Sequence, residues 1–285
     1  MDDGSIHRGG VCVTGWWKGS SAEDRAGAIE VKARTVNPAT RMWLVILCLA
    51  SVAPLAAQRG QGRQGGAPSP RASAPVDLTG MWVSIVTEDW RWRMRTPPKG
   101  DYASLPLTDA AIKVANSWDP ARDAAAGEQC RPFGGAAIMR VPGRIRVSWN
   151  DDTTLKVETE AGTQTRSFVF GSPQAGEPSW QGVSVATWQV AGGGGRRGSG
   201  PPRGGSLRVV TTNLKPGYLR RNGAPYSANA RATEYFNRVN EENGDSWLIV
   251  TTIVEDPQYL NARFVTSSHF KKVPDDSPWK PTPCE

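Results

Sequence analysis

The chain has 285 residues, with 34 Lys and Arg against 27 Asp and Glu, and only two histidines. A formal charge of +7 invites a nucleic-acid reading. Its distribution excludes one: Arg59, Arg63 and Arg71 add +3 within 59–75, Arg196, Arg197 and Arg203 add +3 within 191–205, and outside these and residues 1–57 the count is 22 against 22.

In chain order, Met42–Ala57 (MWLVILCLASVAPLAA) reads as a secretory signal peptide. It is shorter than the roughly 20 apolar residues a membrane span needs, and Leu55-Ala-Ala57 ends it like a cleavage site. Lys32, Arg34 and Arg41 supply the basic stretch before it. Residues 1–41 are therefore expected to be an n-region extension or non-native, with the true start near 31–42. The mature protein is expected in the periplasm or secreted, with no stable membrane span. Residues 58–75, rich in Gly, Pro, Gln and Arg, read as a disordered tether. One domain is expected from 76 to 285.

Within it, Asp77–Thr87 is expected to be a strand, and Leu107–Trp118 the one convincing helix, capped by Thr108 and stopped at Asp119-Pro120. After Cys130 the pattern is strand and turn: 144–149, a strand through Leu155 and Val157, then 164–170, 183–190, 207–212, 231–239, 247–254 and 264–270, with Asn243-Gly244 a hairpin signal. Residues 191–205 read as an overlong Gly/Arg loop. Short turns and no alternating helices predict a mainly β fold, an antiparallel barrel or sandwich of 8–10 strands with one short helix. Cys12 and Cys48 fall in the part expected to be lost, so Cys130 and Cys284 are expected to form a disulfide, contributing roughly 4–5 kcal/mol by chain entropy.

Catalytic sets are scarce. One histidine in the mature chain excludes a multi-histidine metal site, and no nucleotide fingerprint calls for a cofactor. Gly182-Val-Ser-Val-Ala186 falls short of a nucleophile elbow, because it ends in Ala and continues as strand. Glu234 and His269 are the remaining acid/base candidates. Aromatic residues are the positive signal, with nine tryptophans beyond residue 58. If extended, Trp90-Arg-Trp-Arg-Met-Arg95 puts Trp90, Trp92 and Met94 on one face and Arg91, Arg93 and Arg95 on the other. Such a wall beside guanidinium donors suits a ligand with an apolar body and a carboxylate, or a glycan.

The blocks Thr87–Met94, Thr96–Tyr102, Gly127–Cys130, Ile138–Arg144, Glu160–Arg166, Trp180–Gly182, Pro216–Gly223 and Thr233–Phe236 resemble a family of uncharacterised exported bacterial β-rich proteins. The resemblance covers about residues 76–284. It implies export and a broadly lipocalin-like barrel, and supplies no catalytic residue.

The function these readings favour is a monomeric exported barrel that binds a small ligand in an aromatic-lined cavity. Trp90, Trp92, Trp149, Trp188, Tyr235 and Trp247 would supply stacking surface, and Arg91, Arg140 or Arg144 would fix a polar or anionic group. The alternatives are a cofactor-independent lyase, isomerase or hydrolase using Glu234 or His269, and a cell-envelope interaction module.

Overall fold

A computed structural model describes residues 67–190 and 204–284. The signal segment, the first half of the expected tether and most of the Gly/Arg loop lie outside the described residues. The described residues hold eleven strands: β1 (Gly80–Ile85), β2 (Arg144–Trp149), β3 (Thr154–Thr159), β4 (Thr165–Phe170), β5 (Val183–Val190), β6 (Gly205–Thr212), β7 (Gly217–Arg220), β8 (Ala224–Tyr226), β9 (Arg231–Asn240), β10 (Ser246–Glu255) and β11 (Phe264–Val273). Nine of them close a barrel in the order β1-β11-β10-β9-β6-β5-β4-β3-β2, and β7–β8 form a separate hairpin. Alternation and turn spacing predict a mainly β barrel or sandwich, and the fold observed is the barrel.

One pairing departs from the expected meander. β4 and β5 run parallel, with Phe168 opposite Ser184 and Phe170 opposite Ala186. Antiparallel neighbours can be joined by a tight turn, whereas parallel ones need a connection that travels back along the strand. The Pro/Gly-containing segment 171–182 is that connection, and the sequence signals around it do not distinguish a turn from a return.

Alternation decides what fills the barrel. Inward positions of β10 are Leu248, Val250, Thr252 and Val254, and those of β9 are Ala232, Glu234 and Phe236. The middle is packed solid: Trp82, Leu155, Phe168, Phe236, Leu248 and Phe270 are all under 2% exposed. A second apolar cluster at one mouth joins Val254, Phe264 and Ala232 to Leu107, Ala111, Leu219 and Tyr226 from outside the barrel. Between the two clusters lies a polar layer. Arg166 donates to both oxygens of Glu234 at 3.0 and 2.6 Å and to Thr211 Oγ1 at 3.1 Å, and Ser184 Oγ shares a 2.8 Å bond with Thr211.

Among the described residues three α-helices precede β2: α1 (Trp90–Arg93), α2 (Asp109–Asn116) and α3 (Pro120–Ala125). α2 is the predicted helix, with Thr108 Oγ1 accepting from Ala111 N at 3.2 Å. Asp119-Pro120 stops it and at once starts α3, since the Asp119 carboxylate caps Ala121 N and proline is suited to a first helical position. Cys130 and Cys284 are bonded, their Cα atoms 5.1 Å apart across a separation of 154 residues. The C-terminal tail is also tied by Lys280 N and Thr282 N, which donate to Glu160 at 2.7 and 2.9 Å. Asp256 is not the solvated turn residue its Glu-Asp-Pro context suggests. It is 3% exposed, and accepts from Ser227 N, Ser227 Oγ and Gln258 N at 2.6–3.0 Å.

Candidate functional site

The residues expected to share one cavity are spread over several places. Trp149 and Trp188 do meet, with Phe170, at the mouth opposite the polar layer, their rings 5.3–6.4 Å apart. Residues 67–75 lie against this mouth: Pro70 O accepts from Trp188 Nε1 at 2.8 Å, and a recess of about 350 Å³ opens between Trp149, Trp188, Leu155 and Val76. Tyr235 and Trp247 occupy outward positions of β9 and β10, Trp247 beneath Lys271 Nζ at 5.9 Å. Arg144 bridges to Glu160 at 3.5 Å on the barrel rim.

The Trp-Arg alternation is corrected. Residues 90–93 form a helical turn, entered through Asp89 at φ 51°, a left-handed conformation that aspartate tolerates, and abandoned before Thr96-Pro-Pro98. Helical winding sends Trp90 and Met94 into solvent, 66% and 59% exposed, and buries Arg93 at 4%. Trp92 remains partly buried, donating from Nε1 to Asp101 at 3.1 Å, and Arg91 pairs with the same carboxylate at 2.9 Å.

Glu234 is 0% exposed and held by both oxygens to Arg166. A carboxylate so enclosed is a structural partner; nothing in that geometry gives a substrate access to it. His269 is on the outer face of β11. Its Nδ1 lies 3.2 Å from Thr87 Oγ1 and 3.3 Å from Glu88, and its Nε2 lies 3.2 Å from Ser267 Oγ. Among the described residues no group of three or more His, Cys, Asp or Glu side chains is arranged to hold a metal.

Two recesses lie on the barrel's flank, against the β7–β8 hairpin. One of about 460 Å³ is lined by Trp118, Pro120, Ala124, Pro132, Tyr218 and Arg221. A second of about 240 Å³ shares Trp118 and Tyr218 and adds Tyr226 and Tyr259. Three local features build this wall. The stop between α2 and α3 places Trp118 at its corner. Gly223, at φ 84°, leaves room for Trp118, which any Cβ there would strike. Gly217 likewise admits the Tyr226 phenol.

The polar part of the wall is the Asp123 carboxylate, which accepts from Tyr218 Oη and Arg131 Nη1, both at 2.8 Å. Burial, and then the bond to Asp123, push the Tyr218 phenol up to about 12, although Arg131 pulls the other way. Burial pushes Tyr226 up as well, and its hydroxyl has no hydrogen-bond partner among the described residues. Trp118, Asp123, Arg131, Tyr218 and Tyr226 were not singled out by sequence. Gly217–Arg220 is buried at all four positions and its pairing shifts register between Tyr218 and Arg220, so alternation carries no signal there.

No helix among the described residues is long and apolar enough to cross a membrane. Neither a known protein-family model nor a curated protein matches the chain in sequence, so the reading of its function rests on the barrel and its flank alone.

Proposed function

We propose that the protein is an exported barrel, secreted or periplasmic, that binds a small, partly apolar ligand on its flank. The carrying observation is the 460 Å³ recess, whose Trp118, Tyr218 and paired prolines offer flat apolar surface beside the polar Asp123 and Arg221. Pockets of this size, mostly apolar with a few convergent polar groups, are where proteins take small molecules. The Cys130–Cys284 disulfide and the signal-like segment at 42–57 support an oxidising compartment. The solid packing of the barrel's middle favours the flank over the interior.

The test uses 1-anilinonaphthalene-8-sulfonate, a probe with an apolar body. Saturable enhancement of its emission that falls at least fivefold in Trp118→Ala supports the flank site. Enhancement unchanged by Trp118→Ala, or no enhancement, refutes it.

A second reading, ester hydrolysis, is favoured by one observation, the Ser267–His269–Glu88 contact chain. It orders a hydroxyl, an imidazole and a carboxylate as in a hydrolytic triad. Ser267, however, lies on a regular strand, not on the sharp strand-to-helix turn that exposes a nucleophile. Turnover of a nitrophenyl ester that disappears in Ser267→Ala would raise this reading above binding.

A further inference from the structure

Beside the flank recess, and sharing Pro132 and Arg221 with it, is a group of guanidinium side chains brought together from three separate segments. Arg93 comes from α1, Arg140 from the turn before β2, and Arg220 from the end of β7. All three are more than nine-tenths buried, at 4%, 7% and 4% exposure. Long cationic side chains are rarely buried so fully unless each finds a counter-charge.

The carboxylates at hand are already taken. Glu88 is bonded to Arg93, Asp89 to Arg140 at 3.0 Å, and Asp101 to the exposed Arg91 at 2.9 Å. Arg220 has no carboxylate within 4.0 Å among the described residues. Its nearest acceptor is the Asp101 carbonyl at 3.3 Å, and its guanidinium stacks on Trp92 at 4.7 Å. Four buried nitrogens of the cluster have no acceptor among the described residues: Arg93 Nη2, Arg140 Nη1, and Nε and Nη2 of Arg220. Burial, and then the charge of Arg140, hold Arg220 down to about 10, so the cluster presses against its own charge. A small cavity of about 20 Å³, lined by Trp92, Arg93, Pro132, Arg140, Leu219 and Arg220, lies among them. That is room for one water-sized group, such as a single anion oxygen.

We propose that Arg93, Arg140 and Arg220 form an oxyanion-binding site that takes a carboxylate or phosphate group, with one oxygen in the cavity they line. Guanidinium forks are suited to two-oxygen recognition of such groups, and burial strengthens each charge-assisted bond. Trp92 fixes Arg220 in place by stacking, so the fork does not have to be ordered on binding. The site does not depend on the flank recess holding a ligand, although its position would suit the acidic end of a molecule lying there.

The probes are inorganic phosphate and benzoate, each compared with sodium chloride at equal ionic strength, read by thermal unfolding and by calorimetric titration of the disulfide-intact protein. Phosphate or benzoate is expected to raise Tm and to titrate with one-site saturation, while chloride does neither. A response to phosphate alone identifies a free or esterified phosphate as the source of the oxyanion; a response to benzoate identifies a carboxylate. Equal shifts with chloride, or no shift with either oxyanion, overturn the proposal. Arg220→Met is expected to weaken the oxyanion at least tenfold, and Arg220→Lys, which keeps charge without the fork, is the second variant should the first not fold. Wild-type affinity in either variant also overturns the proposal. Arg146→Met, away from the cluster and stacked on Trp279, is expected to bind as wild type. Probe emission left unchanged by Trp118→Ala, with phosphate affinity retained, would count against the flank recess alone.

Discussion

Removing the Glu234 carboxylate tests how the barrel tolerates a charge pair in its interior. Arg166 and Glu234 are both 0% exposed, and two of the guanidinium nitrogens reach the two carboxylate oxygens at 3.0 and 2.6 Å. Glu234→Gln keeps the shape and leaves a buried guanidinium with only Thr211 and a neutral amide. Breaking one partner of such a pair costs roughly 3–5 kcal/mol, because the remaining charge stays desolvated. Against a typical stability of about 5–15 kcal/mol, that is a large share. Replacing both partners with apolar residues, Arg166→Met with Glu234→Leu, removes the stranded charge and is expected to recover most of the loss. Urea unfolding under oxidising conditions, followed by tryptophan fluorescence, measures both. A cost below about 1 kcal/mol for Glu234→Gln, or a double variant no better than the single, would refute the view that the pair is a closed structural unit.

Three further outcomes are expected. Replacing both Cys130 and Cys284 with serine releases a closure spanning 154 residues and is expected to cost up to about 5 kcal/mol, visible as a lower urea midpoint that reduction of the wild type reproduces. Tyr218, pushed up to about 12, and Tyr226, also pushed up, should remain protonated after the same phenols ionise in the unfolded chain. Because their folded values are raised, their contribution to stability is intact below about pH 10 and declines as pH rises towards 12. Ultraviolet titration in which all five tyrosines ionise together in the native protein would contradict this. Gly223→Ala is expected to cost about 1–3 kcal/mol through left-handed strain and displacement of Trp118, with shifted tryptophan emission as its specific sign.

The strands and the disulfide were legible because each rests on a local signal. In β2, Arg144-Ile-Arg-Val147 alternates, and its isoleucine and valine are the buried members. Cys130 and Cys284 were the pair left once the export segment was set aside. The flank was not legible, because its parts come together only in three dimensions. Arg93 reads as a surface residue in either periodicity until its contact with the Arg140 carbonyl at 2.8 Å is known. Asp123 looks like one of many helix charges until Arg131 and Tyr218 converge on it. The short β7–β8 hairpin fell below the length at which alternation is readable. It nevertheless supplies Tyr218, Arg220 and Tyr226.

The parallel seam between β4 and β5 is a matter of parity. A ring of strands in which every neighbour reverses direction must contain an even number, and this ring contains nine. One like-directed pair is therefore required by arithmetic, not added by chance. It falls where only three residue pairs are in register, the shortest ladder in the barrel. A closed wall with one obligatory weak joint has a built-in place to part. Hydrogen exchange should find the amides of Phe168–Phe170 and Ser184–Ala186 opening before those of β9 and β10, whose shared ladder runs the full ten residues of each strand.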